Sequence, residues 1–174
     1  MLLRSIAAAA CLTLAACGGF DWLSTSIRGS GAGVQAVLKP VGGSSGRADA
    51  TFVDRGNGVF MTIFLTNLPP GAYRVAIHRD SNCTSPNLFS AGPAWAPAGS
   101  VVAPQELLPV FRVDSNGDAT LTAQVPGVRT TGPDSLQGRS VVLHAGTRVD
   151  EALPGVPNNR VLCGVIGAPQ SFLS

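Results

Sequence analysis

Apolar and polar residues alternate along short runs of this chain, with turn-forming residues between the runs. In residues 73–78, one face of a strand would be apolar and face a core, and it carries Tyr73, Val75 and Ile77. The opposite face carries Arg74, Ala76 and His78. Strand-like runs occur at 34–41, 48–54, 59–67, 73–79, 107–113, 118–125, 139–145 and 160–167. These eight short strands, without a helical pattern of useful length, predict an all-β sandwich or barrel.

The segments between the runs contain readable turn signals. Residues 54–58 and 114–118 are rich in Gly, Asn and Asp and predict hairpin turns, and residues 68–71 (LPPG) predict a tight turn. Two longer segments, 80–106 and 146–159, interrupt the regular spacing. Loops of that length in a compact domain are usually functional or held in place by a specific contact.

Composition limits the class of protein. The chain has 174 residues, of which 45% are hydrophobic and 13% charged, and its formal net charge is +2. This length suits one domain with a real core and is too short for two. So small a charge gives no basis for a nucleic-acid partner. The 21 glycines and 13 prolines, with few aromatic residues, suit short strands joined by many turns.

The N-terminus has the pattern of an export signal. Arg4 supplies a positive charge, residues 6–14 an apolar segment, and residues 14–17 (LAAC) a small-residue cleavage site. This site resembles a bacterial lipobox, which implies diacylglycerol on Cys17 and removal of residues 1–16. The alternatives are an ordinary secretory signal cleaved nearby or an uncleaved anchor, although the apolar run is short for a bilayer span.

The mature chain is expected to begin with a flexible tether, residues 17–33, followed by one domain at 34–170. If the organism is Gram-negative, Gly18 rather than aspartate after the lipidated cysteine favours sorting to the outer membrane. With Cys11 lost with the signal and Cys17 acylated, Cys83 and Cys163 remain. An oxidising compartment favours a disulfide between them, which would stabilise the fold by on the order of 4 kcal/mol. Two buried free thiols are the alternative.

Five segments carry a resemblance to the Cu/Zn superoxide dismutases of the bacterial periplasmic type. They follow one another in the order of that family and cover about residues 34–170. The segments are 67–78 (NLPPGAYRVAIH), 83–85 (CTS), 91–97 (AGPAWAP), 135–146 (SLQGRSVVLHAG) and 160–167 (RVLCGVIG). The resemblance implies an eight-stranded Greek-key β-sandwich, which agrees with the strand count. It also places Cys83 and Cys163 at the family's disulfide positions.

The metal ligands that the resemblance implies are incomplete here. The family binds copper through four histidines, one of which bridges to zinc. The corresponding positions carry Ala76, His78, Ala94 and His144, so two of four copper ligands remain, and the bridging position is Ala94. The zinc ligands are missing, since the chain has only two histidines and residues 106–108 read ELL where the family has Gly-Asp-Leu. The dismutase cycle makes and breaks the bridging imidazole, which an alanine cannot do.

Three further residues bear on this site. Arg160 matches the family's anion-steering arginine, which draws superoxide toward copper; the alternative is an ion pair with Asp150 or Glu151 in the second long loop. Met61, the thioether of the mature chain, is not expected to be a ligand.

Arg74 stands where the family usually has glycine, on the strand face that carries His78. We hypothesise that its guanidinium fills the space of the missing ligands, where its charge would disfavour a bound metal cation.

The sequence therefore predicts a lipid-anchored protein of the bacterial cell envelope, on the periplasmic face of the outer membrane. Its superoxide dismutase-like domain is expected to be catalytically inactive, a pseudoenzyme acting as a structural or binding module for an unknown protein or surface polymer. No nucleic acid and no zinc are expected. The alternative is a diverged protein with low-affinity copper at His78 and His144, and with weak or residual superoxide dismutase activity.

Overall fold

The computed structural model describes residues 33–152 and 158–169, which contain eight β-strands. Their bounds are β1 Val34–Pro40, β2 Arg47–Asp54, β3 Val59–Thr66, β4 Gly71–His78, β5 Val110–Val113, β6 Ala119–Val125, β7 Ser140–Ala145 and β8 Arg160–Val165. They pair antiparallel in one sheet of order β5-β4-β7-β8-β1-β2-β3-β6. The edge strands β5 and β6 approach each other, so the sheet is a nearly closed barrel. The predicted eight-stranded, all-β architecture is confirmed.

Alternation of side chains along the strands builds the core. In β3 every second side chain is buried, and these are Val59, Met61, Ile63 and Leu65. Strand β4 contributes the apolar face that the sequence predicts, namely Tyr73, Val75 and Ile77. Met61 is 0% exposed among these apolar side chains, which agrees with its exclusion as a ligand.

Two sequence predictions of local structure need correction. Strand β5 begins at Val110 rather than at residue 107. Pro109 precedes it and has no N–H to donate to a β-ladder, while Leu107 and Leu108 are buried from the preceding loop instead. Residues 114–118 form a tight turn closed by the Asp114 N–H to the Asp118 carbonyl, 3.1 Å. This turn is not a hairpin, because β5 pairs with β4 and β6 pairs with β3.

The first long loop covers the outer face of β4 and β7. It contains two short 3-10 helices, Phe89–Ala91 and Pro104–Glu106. A second, smaller apolar cluster lies under it, formed by Leu88, Ala91, Val142 and Cys163. Because the loop covers this face, Ala76 and His78 on the polar side of β4 are buried, whereas Arg74 is half-buried.

The Cys83–Cys163 disulfide holds this loop to β8. Its S–S distance is 2.04 Å and its Cα–Cα distance 5.7 Å, so the predicted pairing is confirmed and the free-thiol alternative is wrong.

The predicted signal 1–16, the lipidation site Cys17, almost all of the tether 17–33 and the last residue of the predicted domain, Gln170, lie outside the described residues. Within the described part, no helix has the length and apolar character needed to cross a bilayer.

Candidate functional site

The two histidines come together on the outer face of neighbouring strands. His78 ends β4 and His144 lies near the end of β7, and both side chains are 0% exposed. In the ladder His144 pairs with Arg74, and His78 pairs with Ser140. The Ala76 position lies between these two rows and carries only a methyl group. The rings lean toward each other across it, and their Nε2 atoms are 3.1 Å apart.

The loop carbonyl of Gly92 orients His78. Nδ1 of His78 lies 2.8 Å from this oxygen. Gly92 has φ +72°, and a Cβ there would collide with the Asp80 carboxylate, so the site needs glycine. The same carbonyl accepts a bond from Nη2 of Arg160 at 2.9 Å, which ties the histidine to the arginine of β8.

Asn159 orients His144. Its Oδ1 is 3.1 Å from Nδ1 of His144. The Nδ2 group of Asn159 donates to the carbonyls of Ala145 at 2.6 Å and Arg148 at 2.7 Å, and its Oδ1 accepts the Glu151 N–H at 3.1 Å. Sequence reasoning missed Asn159, although its place directly before the Arg160 motif was a signal that could have drawn attention to it.

Burial keeps both histidines neutral at neutral pH. Desolvation is the main cause that lowers the pKa of His78, and the nearby charge of Arg160 lowers it further. Desolvation, with the proximity of His78 second, lowers the pKa of His144 to about 4. His144 Nδ1 lies 3.9 Å from Oδ1 of Asp150, and because the ring is uncharged near pH 7, this contact is not an ion pair there.

Arg160 is paired and enclosed. Its Nε donates to Oδ1 of Asp150 at 2.6 Å and its Nη2 to Oδ2 at 2.9 Å, a bidentate ion pair. Its Nη1 donates to the Leu88 carbonyl, and its side chain is 3% exposed. Burial would raise the pKa of Asp150, but the hydrogen bond and charge of Arg160 outweigh it and lower that pKa.

The expected pairing of Arg160 with an acid of the second loop is therefore confirmed for Asp150. Glu151 has a different role, since its N–H donates to Asn159. The guanidinium has little exposed surface left for an incoming anion.

The metal-ligand positions can now be placed. Ala94 forms an isolated antiparallel bridge with His78, so the bridging position lies beside the histidine but offers no ligand atom. Within the described residues, His78, His144 and Asp150 form a cluster whose ligand atoms lie within 4.8 Å of one another. The Asp150 carboxylate lies 3.9 Å from Nδ1 of His144 and is held by Arg160. Glu106 is exposed at the end of the second 3-10 helix.

The hypothesis that Arg74 fills the empty ligand space loses its support. Its Nη1 donates to the Gln105 carbonyl at 2.6 Å, and the side chain lines an open depression with Thr147 and Arg148. The neighbouring loop attracts the guanidinium because it presents this carbonyl beside β4. The charge of Arg74 therefore does not explain a loss of metal at the histidines.

Comparison with known proteins agrees with this fold. Residues 45–166 match the profile of the family described as copper/zinc superoxide dismutase (SODC), which is about two thirds of the chain. The chain belongs to the copper/zinc superoxide dismutase family.

Individual relatives are similar over large parts of the domain. A protein of Legionella pneumophila named Superoxide dismutase [Cu-Zn] is 29% identical over 126 residues, covering 67% of this chain and 75% of the relative. A protein of the same name from Botryotinia fuckeliana is 35% identical over 92 residues, covering 45% of this chain and 60% of the relative. A crystal structure of the clock protein EA4 superposes with TM-score 0.63 at 24% identity, covering 80% of this chain and 96% of that one, which is a likeness of fold.

Proposed function

We propose that this protein is a lipid-anchored bacterial envelope protein whose superoxide dismutase-like domain is a structural or binding module without dismutase turnover. The observation that carries the proposal is the bridge between Ala94 and His78. A methyl group stands at the position where the family's cycle needs an imidazole that binds copper, releases it and carries a proton. Neither the ligand exchange nor the coupled proton transfer has a donor there.

The state of Arg160 supports the same conclusion. Long-range attraction of a small anion requires an uncompensated positive charge near the site. Here Nε and Nη2 of the guanidinium both donate to the Asp150 carboxylate. Nη1 and Nη2 also donate to backbone carbonyls of the first long loop. An approaching superoxide would meet a neutral ion pair, so the domain lacks the steering function as well as the redox ligand.

Superoxide decay measured by pulse radiolysis or stopped flow tests this proposal. The purified protein is loaded with Cu(II) and Zn(II), freed of unbound metal, and compared with a His144→Ala variant. We expect both to be indistinguishable from buffer. Copper-dependent decay by the unmodified protein that disappears in His144→Ala would overturn the proposal.

The envelope location rests on the N-terminal pattern, with acylation at Cys17, cleavage after residue 16 and a tether reaching to residue 33. We propose attachment at the periplasmic face of the outer membrane, with a protein or surface polymer as the partner of the domain. Mass spectrometry of the membrane-extracted protein should find diacylglycerol on Cys17. The Cys17→Ser variant should appear in the soluble fraction, whereas an unmodified, equally membrane-bound Cys17→Ser protein would contradict the lipid anchor.

A second candidate function is copper binding at low affinity, and the facing histidines favour it. Adjacent ligands at about 2.0 Å from one metal ion lie about 2.8–3.3 Å apart for ordinary coordination angles. The Nε2 atoms of His78 and His144 are 3.1 Å apart and nearly head-on, the geometry of a ring-to-ring hydrogen bond, so the two rings would have to turn to hold one ion. Imidazole suits copper, and copper when bound would supply one-electron redox chemistry. No third ligand of the same ion is available on the Nε2 side from Ala76 or Ala94.

Competition with a calibrated Cu(I) chelator tests this second candidate. We expect one Cu(I) per protein, an affinity well below that of a four-ligand site, and loss of binding in His144→Ala. A stoichiometry unchanged in His144→Ala would refute this site.

A further inference from the structure

Most arginines in the described part of the chain have an acidic or aromatic neighbour. Four form ion pairs with a carboxylate, namely Arg47, Arg79, Arg129 and Arg160. Two others lie over aromatic rings, Arg55 over Phe60 and Arg139 over Trp95. Among the same residues, neither kind of partner is found for Arg74, Arg112 and Arg148, which we call the basic cluster. Positive charge without a neighbour of either kind is therefore concentrated in these three residues.

The fold brings the basic cluster together at one side of the sheet. Arg74 in β4 lies opposite Val110 of β5, and Arg112 follows two residues later, opposite Ala72. Residues opposite each other in an antiparallel pair share a face, and diagonal neighbours such as Arg74 and Arg112 lie about 7–8 Å apart. Arg148, in the second long loop, borders the same open depression as Arg74.

This depression is polar and larger than a phosphate group. Its volume is about 250 Å³, and it is lined by Arg74, Gln105, Glu106, Thr147, Arg148 and Val149. Glu106 is the acid of this lining, and it forms no ion pair with either arginine within the described residues. Two guanidinium groups against one carboxylate leave the lining with a positive charge, to which Arg112 adds from the neighbouring strand.

The guanidinium of Arg74 uses few of its donors inside the protein. Nη1 donates to the Gln105 carbonyl at 2.6 Å, whereas Nε is enclosed without an acceptor. A guanidinium has five N–H donors, so most of those of Arg74 are not used by the described residues. Arg112 and Arg148 are exposed, and their charges are accessible from solvent.

The chemistry of the depression selects the kind of ligand. Guanidinium groups bind phosphate and carboxylate through paired N–H···O bonds, and these charge-assisted bonds are stronger than neutral ones. A phosphate group has more acceptor oxygens than a carboxylate, so it can contact several guanidinium groups at once. The Thr147 hydroxyl is a further donor in the lining. A cation would be repelled by the same three arginines.

We propose that the basic cluster and its depression form a binding site for a phosphate group, either free in solution or in the head group of an anionic lipid. The site deepens the binding-module function proposed above, because it gives the module a chemical class of partner, and it uses neither histidine. Positive charge is available between β4, β5 and the second long loop, whereas that of Arg160 is neutralised by Asp150.

NMR of the purified full chain in a non-ionic detergent tests the site with inorganic phosphate as the probe. The enclosed Nε–H of Arg74 exchanges slowly with water, so its resonance reports directly on the depression. We expect a saturable shift of this resonance and of the backbone amides of Thr147 and Arg148. The same titration is repeated with micelles that contain phosphatidylglycerol or phosphatidylcholine. A response to phosphatidylglycerol alone would identify a lipid head group as the source, and a response to inorganic phosphate alone would identify soluble phosphate.

Glutamine variants show whether the arginines hold the ligand. Arg74→Gln and Arg148→Gln should each weaken phosphate binding about tenfold, because each removes charge-assisted hydrogen bonds. Arg148 is exposed, so its variant remains informative if Arg74→Gln does not fold. Arg55→Gln is the matched control, since it removes the same charge from the β2–β3 turn without altering the depression. It should leave the affinity nearly unchanged.

Two results would overturn the inference. One is the absence of a saturable shift in every titration, and the other is an affinity that is equal in the unmodified protein and in both site variants. Neither result bears on superoxide decay, so failure of the phosphate site would leave the proposed absence of dismutase turnover to its own test.

Discussion

Reduction of the Cys83–Cys163 disulfide should lower the free energy of unfolding by several kcal/mol while the barrel remains folded. The bond joins residues 80 apart in sequence, and in the chain-entropy description a loop of that length contributes about 4.5 kcal/mol at 25 °C. This figure is an upper value, because a compact denatured chain has already lost part of the entropy that the cross-link removes.

The loss of stability on reduction should be concentrated in the first long loop. Leu88 and Gly92 in this loop supply the carbonyls that bond Arg160 and His78, and Cys163 packs with Leu88 in the smaller apolar cluster. The strands β1, β2, β3 and β6 are held instead by long antiparallel ladders and by the main core. Hydrogen exchange should therefore accelerate for loop amides on reduction, with much less change in β3.

Urea unfolding with and without a phosphine reductant measures the effect, followed by circular dichroism and by fluorescence of Trp95, which packs against Arg139. The slope of free energy against urea should show whether the denatured state also expands on reduction. The double variant Cys83→Ala/Cys163→Ala is the control, since it should resemble the reduced protein and ignore the reductant. A difference between oxidised and reduced protein below about 1 kcal/mol would refute the loop-closure reasoning.

Three further predictions concern the site and its supports. The pKa of His144 in the folded protein, about 4, lies below its ordinary 6.5, so the unfolded chain binds this proton more tightly. The free energy of unfolding should therefore be highest above about pH 6.5 and fall by up to about 3 kcal/mol toward pH 4. A free energy from urea unfolding that does not change across this range would contradict the prediction. Asp150→Asn should cost about 1–3 kcal/mol, because it leaves the enclosed Arg160 charge without its carboxylate, and thermal unfolding of Asp150→Asn beside Glu151→Gln measures this. Gly164→Ala should cost about 1–3 kcal/mol, since its Cβ would lie 2.6 Å from the Val37 carbonyl, while Gly167→Ala, with nothing within 4 Å, should be nearly neutral in the same assay.

The strand pattern could be predicted from sequence because local alternation determined it. In β2 and β3 every second residue is apolar and buried, so the alternation in the sequence predicted the bounds of both strands to within one residue. The error at β5 arose where local pattern and tertiary structure differ. Leu107 and Leu108 are as apolar as strand residues, but they reach the core from a loop, and neither burial nor pairing partner can be read from a run of apolar letters.

The site was predictable in its ligands and not in its surroundings. The positions of His78, Ala94 and Arg160 followed from short motifs, and the chain brings all three together. The contacts of Asn159 and Asp150 depend on how residues 146–152 fold back over β7, and the loop has no periodicity from which that path could be inferred. The hypothesis about the direction of the Arg74 side chain lost its support for a similar reason. Its acceptor is the backbone carbonyl at position 105, which any amino acid there would supply, so the sequence carries no signal for this contact.

The two proposed functions, absence of dismutase turnover and binding of a cation, are compatible because they depend on different edges of the same two rings. The Nδ1 edges lie against Gly92 and Asn159, and the Nε2 edges face each other at 3.1 Å. Turnover in the family needs a further imidazole at position 94 and a free positive charge at Arg160, whereas holding one ion needs only two lone pairs. The ion pair with Asp150 removes the free charge without contacting the Nε2 edges. One proposal can therefore fail while the other holds, which is why metal binding and superoxide decay have to be measured separately.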